Sequence, residues 1–233
     1  MMILCCLFGC TACFDLQENL FLKKDGSGNF SFTIDMSEFK SMMAMFDQAG
    51  DEKGEFTIKK TPQGKLNTTF EITRRKLLNT KGVSNVKAIE DTINYVFGLS
   101  FDFKDIETLN KAMNRLFEAD SVKTDQKEKV YFQWKDKQLT RLDVLDSKSL
   151  FGKTAAISDK NGSTDGMFNI NKLFESVSYS TNYEFENKVG ATINQNAMLS
   201  SNFKRVSLKC YPFAVQTDSA AKKCSIANTI TLK

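Results

Sequence analysis

The chain has 233 residues, 41% of them hydrophobic and 26% charged, a balance ordinary for a globular domain and long enough to bury a sizeable core. A formal net charge of +4 is too small to mark a nucleic-acid-binding protein, and the two compact basic runs, Arg74-Arg75-Lys76 and Lys222-Lys223, read as solvated faces. There is no histidine, so Ser-His-Asp and Cys-His catalysis and every histidine-ligated zinc or haem site are excluded for this sequence.

The first thirteen residues, MMILCCLFGCTAC, carry no charge and stop at Cys13, where the polar stretch FDLQEN begins. A bilayer-crossing helix needs about 20 apolar residues, whereas a run of about 10–14 is typical of a signal-peptide core. A short apolar run ending in small residues before a cysteine resembles a bacterial lipoprotein signal. On that resemblance, residues 1–12 are removed and Cys13 becomes the lipidated first residue, anchoring the protein by acyl chains. Cys10, after Leu7-Phe8-Gly9, is the rival acceptor, disfavoured by the bulk of Phe8. Residues 13–233 are then a single domain at the cell envelope, facing an extracytoplasmic compartment.

The mature chain opens with alternation. Leu16, Leu20 and Leu22 precede KKDGSGN, and Phe30, Phe32 and Ile34 follow at every second position, which predicts a hairpin turning at Asp25-Gly26. Ser37 is a helix N-cap, with Phe39, Met42, Met43 and Phe46 as an apolar stripe up to Gly50. FTIKK and KLNTTFEIT around Thr61-Pro62-Gln63-Gly64 read as a second hairpin, and RRKLLNTKG is ambiguous. Tyr95, Phe97, Leu99, Phe101 and Phe103 alternate strictly, the most secure strand of the chain. Asp105 caps a helix carrying Ile106, Leu109, Met113, Leu116 and Phe117 at helical spacing.

KVYFQW and QLTRLDV form a third hairpin about Asp136-Lys137, and a polar loop runs from about 146 to 166. A short helix near 168–174 precedes alternating Val177, Tyr179, Thr181, Tyr183 and Phe185, and Val206, Leu208, Ile230 and Leu232 mark the closing strands. The expected class is α+β, a large, mainly antiparallel sheet of hairpins with two principal helices packed on it.

Chemistry-bearing patterns are few. SKSLFGKT (147–154) lacks the first P-loop glycine. The series Asp159, Asn161, Ser163, Asp165 lacks the glycine and glutamate of a calcium loop, and Glu90-Asp91 reads as a solvated turn. No catalytic, metal or cofactor residues are assigned. If Cys13 is acylated and the earlier cysteines leave with the signal, Cys210 and Cys224 remain, and an oxidising compartment favours joining them. Such a bridge would contribute about 3 kcal/mol in the chain-entropy model. Two unbridged thiols are the alternative.

Tyr183-Glu184-Phe185, Val189, Asn194, Asn196, Ser200, Val206 and Leu208 follow one another in strand-like register. This pattern resembles the LppM-type domain of bacterial lipoproteins, with Glu186-Asn187 standing where Pro-Gly is common and Leu208 where Trp is common. The resemblance implies an envelope-anchored, non-enzymatic domain related to lipid-binding folds, with no catalytic residues to carry over. The expectation is therefore a membrane-anchored protein that binds an apolar ligand or lipid, with Phe97, Phe101, Leu109 and Met113 as the candidate ligand face. The alternative is an envelope interaction or assembly protein with no small-molecule pocket. A closed apolar cavity would favour the first, and a solid core with exposed apolar residues the second.

Overall fold

The computed structural model describes residues 14–37, 62–117, 128–142, 177–211 and 225–233. Alternation at the start of the chain builds the expected hairpin: β1 (Asp15–Leu22) and β2 (Gly28–Asp35) pair antiparallel from Asp15↔Asp35 to Leu22↔Gly28. The turn closes with the Lys23 amide donating to the Ser27 carbonyl at 2.8 Å, and Gly26 takes a φ of 84°, a conformation side chains resist.

Of the stretch read as a second hairpin, FTIKK lies outside the described residues, and KLNTTFEIT is instead helical, within α1 (Pro62–Leu78). Proline suits the first helical position because its missing N–H would find no partner there. Phe70, Thr73 and Leu77 recur at three and four residues, with Thr73 and Leu77 buried, and Glu71 pairs with Arg74 and Arg75 along the exposed side. The period of 3.6 therefore prevails over the apparent alternation of Phe70 and Ile72. Beyond α1 lies a strand that no sequence pattern announces, β3 (Val83–Asp91), whose pairing shifts between Ser84 and Lys87.

β4 (Val96–Phe103) fulfils the strict alternation, and α2 (Ile106–Phe117) follows, capped by the Asp105 carboxylate, which accepts the Thr108 amide at 2.8 Å. Gly98 lets β4 lie close to β2, since a Cβ there would stand 2.1 Å from the Phe32 carbonyl oxygen. β5 (Phe132–Lys135) and β6 (Gln138–Arg141) make the third hairpin, with φ of 50° and 60° at Asp136 and Lys137 as a tight primed turn requires. The remaining strands are β7 (Ser178–Phe185), β8 (Val189–Thr192), β9 (Met198–Leu199), β10 (Arg205–Cys210) and β11 (Asn228–Leu232).

Two sheets result. The larger has the order β3-β4-β2-β1-β7-β10-β9 and the smaller β5-β6-β11-β8. Only β1 and β7 pair in parallel among the described strands, from Asp15↔Ser178 to Leu22↔Phe185. One face of the large sheet is buried, covered by α1 and α2 near β3 and β4 and by the small sheet near β1 and β7. The fold is α+β, as expected. Of the two expected helices, the second is α2; the one from Ser37, with its Phe39 to Phe46 stripe, lies beyond Ser37 outside the described residues. So do the 146–166 loop, the 168–174 helix and the two near-motifs between 147 and 165.

Candidate functional site

Cys13, Cys10 and Cys224 lie outside the described residues. Cys210 ends β10, buried and in register with Tyr179. Phe97 and Phe101 sit on β4 and Leu109 and Met113 on α2, none of them more than 1% exposed. Phe101, Leu109 and Met113 share one core with Leu77 and Phe103. Phe97 is equally buried, its ring edge-on to that of Tyr95 at 6.5 Å. Glu90 and Asp91 belong to β3 rather than to a turn, and the Asp91 carboxylate closes the next turn by accepting the Ile93 and Asn94 amides.

The most polar feature of the interior is one that the sequence reading passed over. Glu18 occupies an inward position of β1 between Leu16 and Leu20 and is fully buried. Its carboxylate accepts Arg141 Nε at 3.0 Å and Nη2 at 2.9 Å, the Tyr179 hydroxyl at 2.8 Å and the Tyr183 hydroxyl at 2.5 Å. Arg141 comes from β6, so the fork joins the two sheets. Its third nitrogen donates to the Leu142 carbonyl at 2.6 Å, and its guanidinium lies 5.0 Å from the Phe132 ring centre and 5.5 Å from that of Tyr131.

Burial pushes the Tyr179 and Tyr183 hydroxyls well above the usual phenol range, and the Glu18 charge adds to the shift. Burial also lifts Tyr131, to about 12, against the opposing pull of Arg141. For Arg141 burial acts downward, but Glu18 and the tyrosines outweigh it and hold the guanidinium charged. Every buried side-chain nitrogen and oxygen among the described residues has a partner. A carboxylate sealed in this way reaches no solvent or substrate; it clamps the sheets together. The signal in the sequence was parity: Glu18 falls on the apolar phase of β1, and Arg141 lies two residues after Leu139 on β6.

Accessible chemistry lies at the surface. A cleft of about 600 Å³ opens between the end of α1 and the flank of α2, lined by Lys76, Asn79, Thr80, Lys81, Lys111, Arg115 and Glu128. A smaller one, of about 180 Å³, is lined by Phe70, Glu71, Ala88, Ile89, Glu90 and Gly98. Neither is lined by Phe97, Phe101, Leu109 or Met113. Ile193, Met198 and Phe203, around the edge strands β8 and β9, are 70%, 66% and 50% exposed. Among the described residues no helix is long and apolar enough to cross a membrane, and no group of three or more His, Cys, Asp or Glu is placed to hold a metal ion.

No protein-family model and no curated protein matches this chain. Among solved structures, the NMR structure of the folded domain of Mycobacterium tuberculosis LppM is similar at 9% identity and a TM-score of 0.41, over 94% of this chain and 89% of that one. A likeness this slight decides neither fold nor function.

Proposed function

We propose that the chain is a non-enzymatic, lipid-anchored protein of the bacterial cell envelope whose folded domain acts through its surface, as a binding or assembly module, rather than by enclosing a ligand. The observation that carries this reading is where the expected ligand face lies among the described residues. Phe101, Leu109 and Met113 are fully buried in the core that also holds Leu77 and Phe103, and neither described cleft reaches them or Phe97. A carrier of acyl chains needs an apolar hollow of several hundred Å³. The exposed Ile193, Met198 and Phe203 supply the apolar surface that a partner-binding module presents. The apolar stretch ending at Cys13 supports the anchor.

Titration of delipidated protein with a fluorescent fatty acid tests the reading, which expects no saturable binding. Stoichiometric binding that an unlabelled fatty acid displaces, and that Leu109→Trp weakens, would restore the ligand-carrier alternative.

A further inference from the structure

The edge strands β8 and β9 of the two sheets meet where the Val189 amide donates to the Phe203 carbonyl at 2.7 Å. Of the nine large apolar side chains that stand exposed among the described residues, four lie here: Ile193, Met198, Leu199 and Phe203. The whole run 189–203 carries no charge, in a chain of which 26% is charged. Sheet edges are ordinarily guarded by charged side chains, so this edge departs from the rule.

The apolar side chains are held out by well-bonded turns. Asn194 Nδ2 donates to the Ala227 carbonyl at 2.9 Å, and the Asn194 carbonyl accepts the Ala197 amide at 3.1 Å. In the next turn Ser200 Oγ donates to Asn202 Oδ1 at 2.7 Å and accepts the Arg205 amide at 2.9 Å, while the Ser200 carbonyl accepts the Phe203 amide at 2.9 Å. Phe203 has a φ of 59°, a left-handed conformation that is costly for a bulky residue, yet its ring is half exposed. At the ends of the neutral run stand Lys188 and Lys204. Both are exposed, and neither is ion-paired with a described residue, whereas the adjacent Arg205 is neutralised by Glu184 at 2.6 Å.

We propose that this edge docks on an anionic lipid bilayer, the one that carries the anchor. Apolar side chains flanked by unpaired lysines match the boundary of such a bilayer, where apolar groups enter the acyl region and cations meet the headgroups. The two residues of β9 offer too little backbone for a partner's strand to pair with, and neither described cleft includes any residue of 189–203; a fluid lipid surface needs no groove. Position fits the same membrane. In sheet order β9 stands three strands from β1, about 14 Å, and Met198 is in register through Ser207 and Asn182 with Asn19, about 13 Å along β1 from Asp15. With the strands lying along the membrane, the anchor and the edge reach one surface. The edge alone binds weakly and reversibly, so it orients the domain while the acyl chains retain it.

The inference rests on the surface-binding reading by naming the surface, and its test is independent of the fatty-acid titration, so either can fail alone. The full acylated chain is reconstituted in vesicles of phosphatidylglycerol and phosphatidylcholine brominated on their acyl chains, with Phe203→Trp as the reporter in a Trp134→Phe background. Against unbrominated vesicles the reporter should be quenched at least about twofold, and most of the quenching should vanish in phosphatidylcholine alone, in high salt, or with Lys188→Glu/Lys204→Glu. A reporter at Ser84→Trp, exposed on β3 at the opposite edge of the sheet, should stay unquenched. Circular dichroism confirms that each variant folds, and the change of lipid tests the proposal with no charge substitution. An unquenched Phe203→Trp, equal quenching at the two edges, or quenching indifferent to phosphatidylglycerol overturns the proposal. A blue-shifted but unquenched reporter whose shift grows with protein density overturns it in favour of a second copy of the chain.

Discussion

Arg141→Met tests the clamp between the sheets. The substitution keeps the length and apolar stem of the side chain but removes two charge-assisted hydrogen bonds, leaving the fully buried Glu18 carboxylate with the Tyr179 and Tyr183 hydroxyls alone. Stranding one charge of a buried pair typically costs about 3–5 kcal/mol, because the remaining ion has lost both water and its counterion. For a domain of this size that is a fall in Tm of about 6–20 °C. Replacing the whole cluster, Glu18→Leu/Arg141→Met/Tyr179→Phe/Tyr183→Phe, removes every polar group together and should stand within about 1 kcal/mol of the parent or above it. Urea unfolding followed through Trp134, the one tryptophan of the chain and packed against the core, measures both variants, with circular dichroism checking that the transitions coincide. A cost below about 1 kcal/mol for Arg141→Met, or a fourfold variant no more stable than the single one, would refute the reasoning.

Asp105→Ala removes the cap of α2 and should cost about 1 kcal/mol in the same urea titration, with the helix otherwise retained. At high pH the buried tyrosines set the response: their folded pKa values lie above the unfolded value of 10.0, so their contribution is intact below pH 10 and is lost as pH rises beyond it. Stability measured against pH should be level up to pH 9 and fall above 10, and Tyr131→Phe should lose part of the slope between about pH 10 and 12. Peptide mapping of unreduced envelope protein should recover Cys210 and Cys224 in one linked pair; recovery of both as thiols would remove that bridge.

How much of this could be read from the chain depends on how local each signal is. The β1–β2 hairpin, β4, α2 and the β5–β6 hairpin were legible because apolar phase, turn residues and caps lie side by side, as in Phe97 to Phe103 followed by Asp105. α1 was misread because Pro62 and Gly64 look like a turn and Phe70 with Ile72 mimics a strand, while the deciding pair, Thr73 and Leu77, shows only at helical spacing. β3 was illegible: its burial follows no simple alternation, and its pairing is broken between Ser84 and Lys87. The parallel contact of β1 with β7 joins residues 163 positions apart, as in the Asp15–Ser178 hydrogen bond, and no local pattern announces it. Glu18 and Arg141 each stand on an apolar phase of their strands, yet that they pair with each other was not legible, since the pairing depends on how two sheets stack. The seam of β8 and β9 likewise exists only once the edges of the two sheets meet.

The anchor is the premise on which the cellular role depends, and the intact mass of the protein purified from its own envelope tests it most directly. The account predicts a chain beginning at Cys13 and heavier than its sequence by acyl groups, with a Cys13→Ser variant that loses the added mass and leaves the membrane fraction while remaining folded. A chain that retains residues 1–12, carries no acyl mass and stays membrane-bound as Cys13→Ser would contradict it.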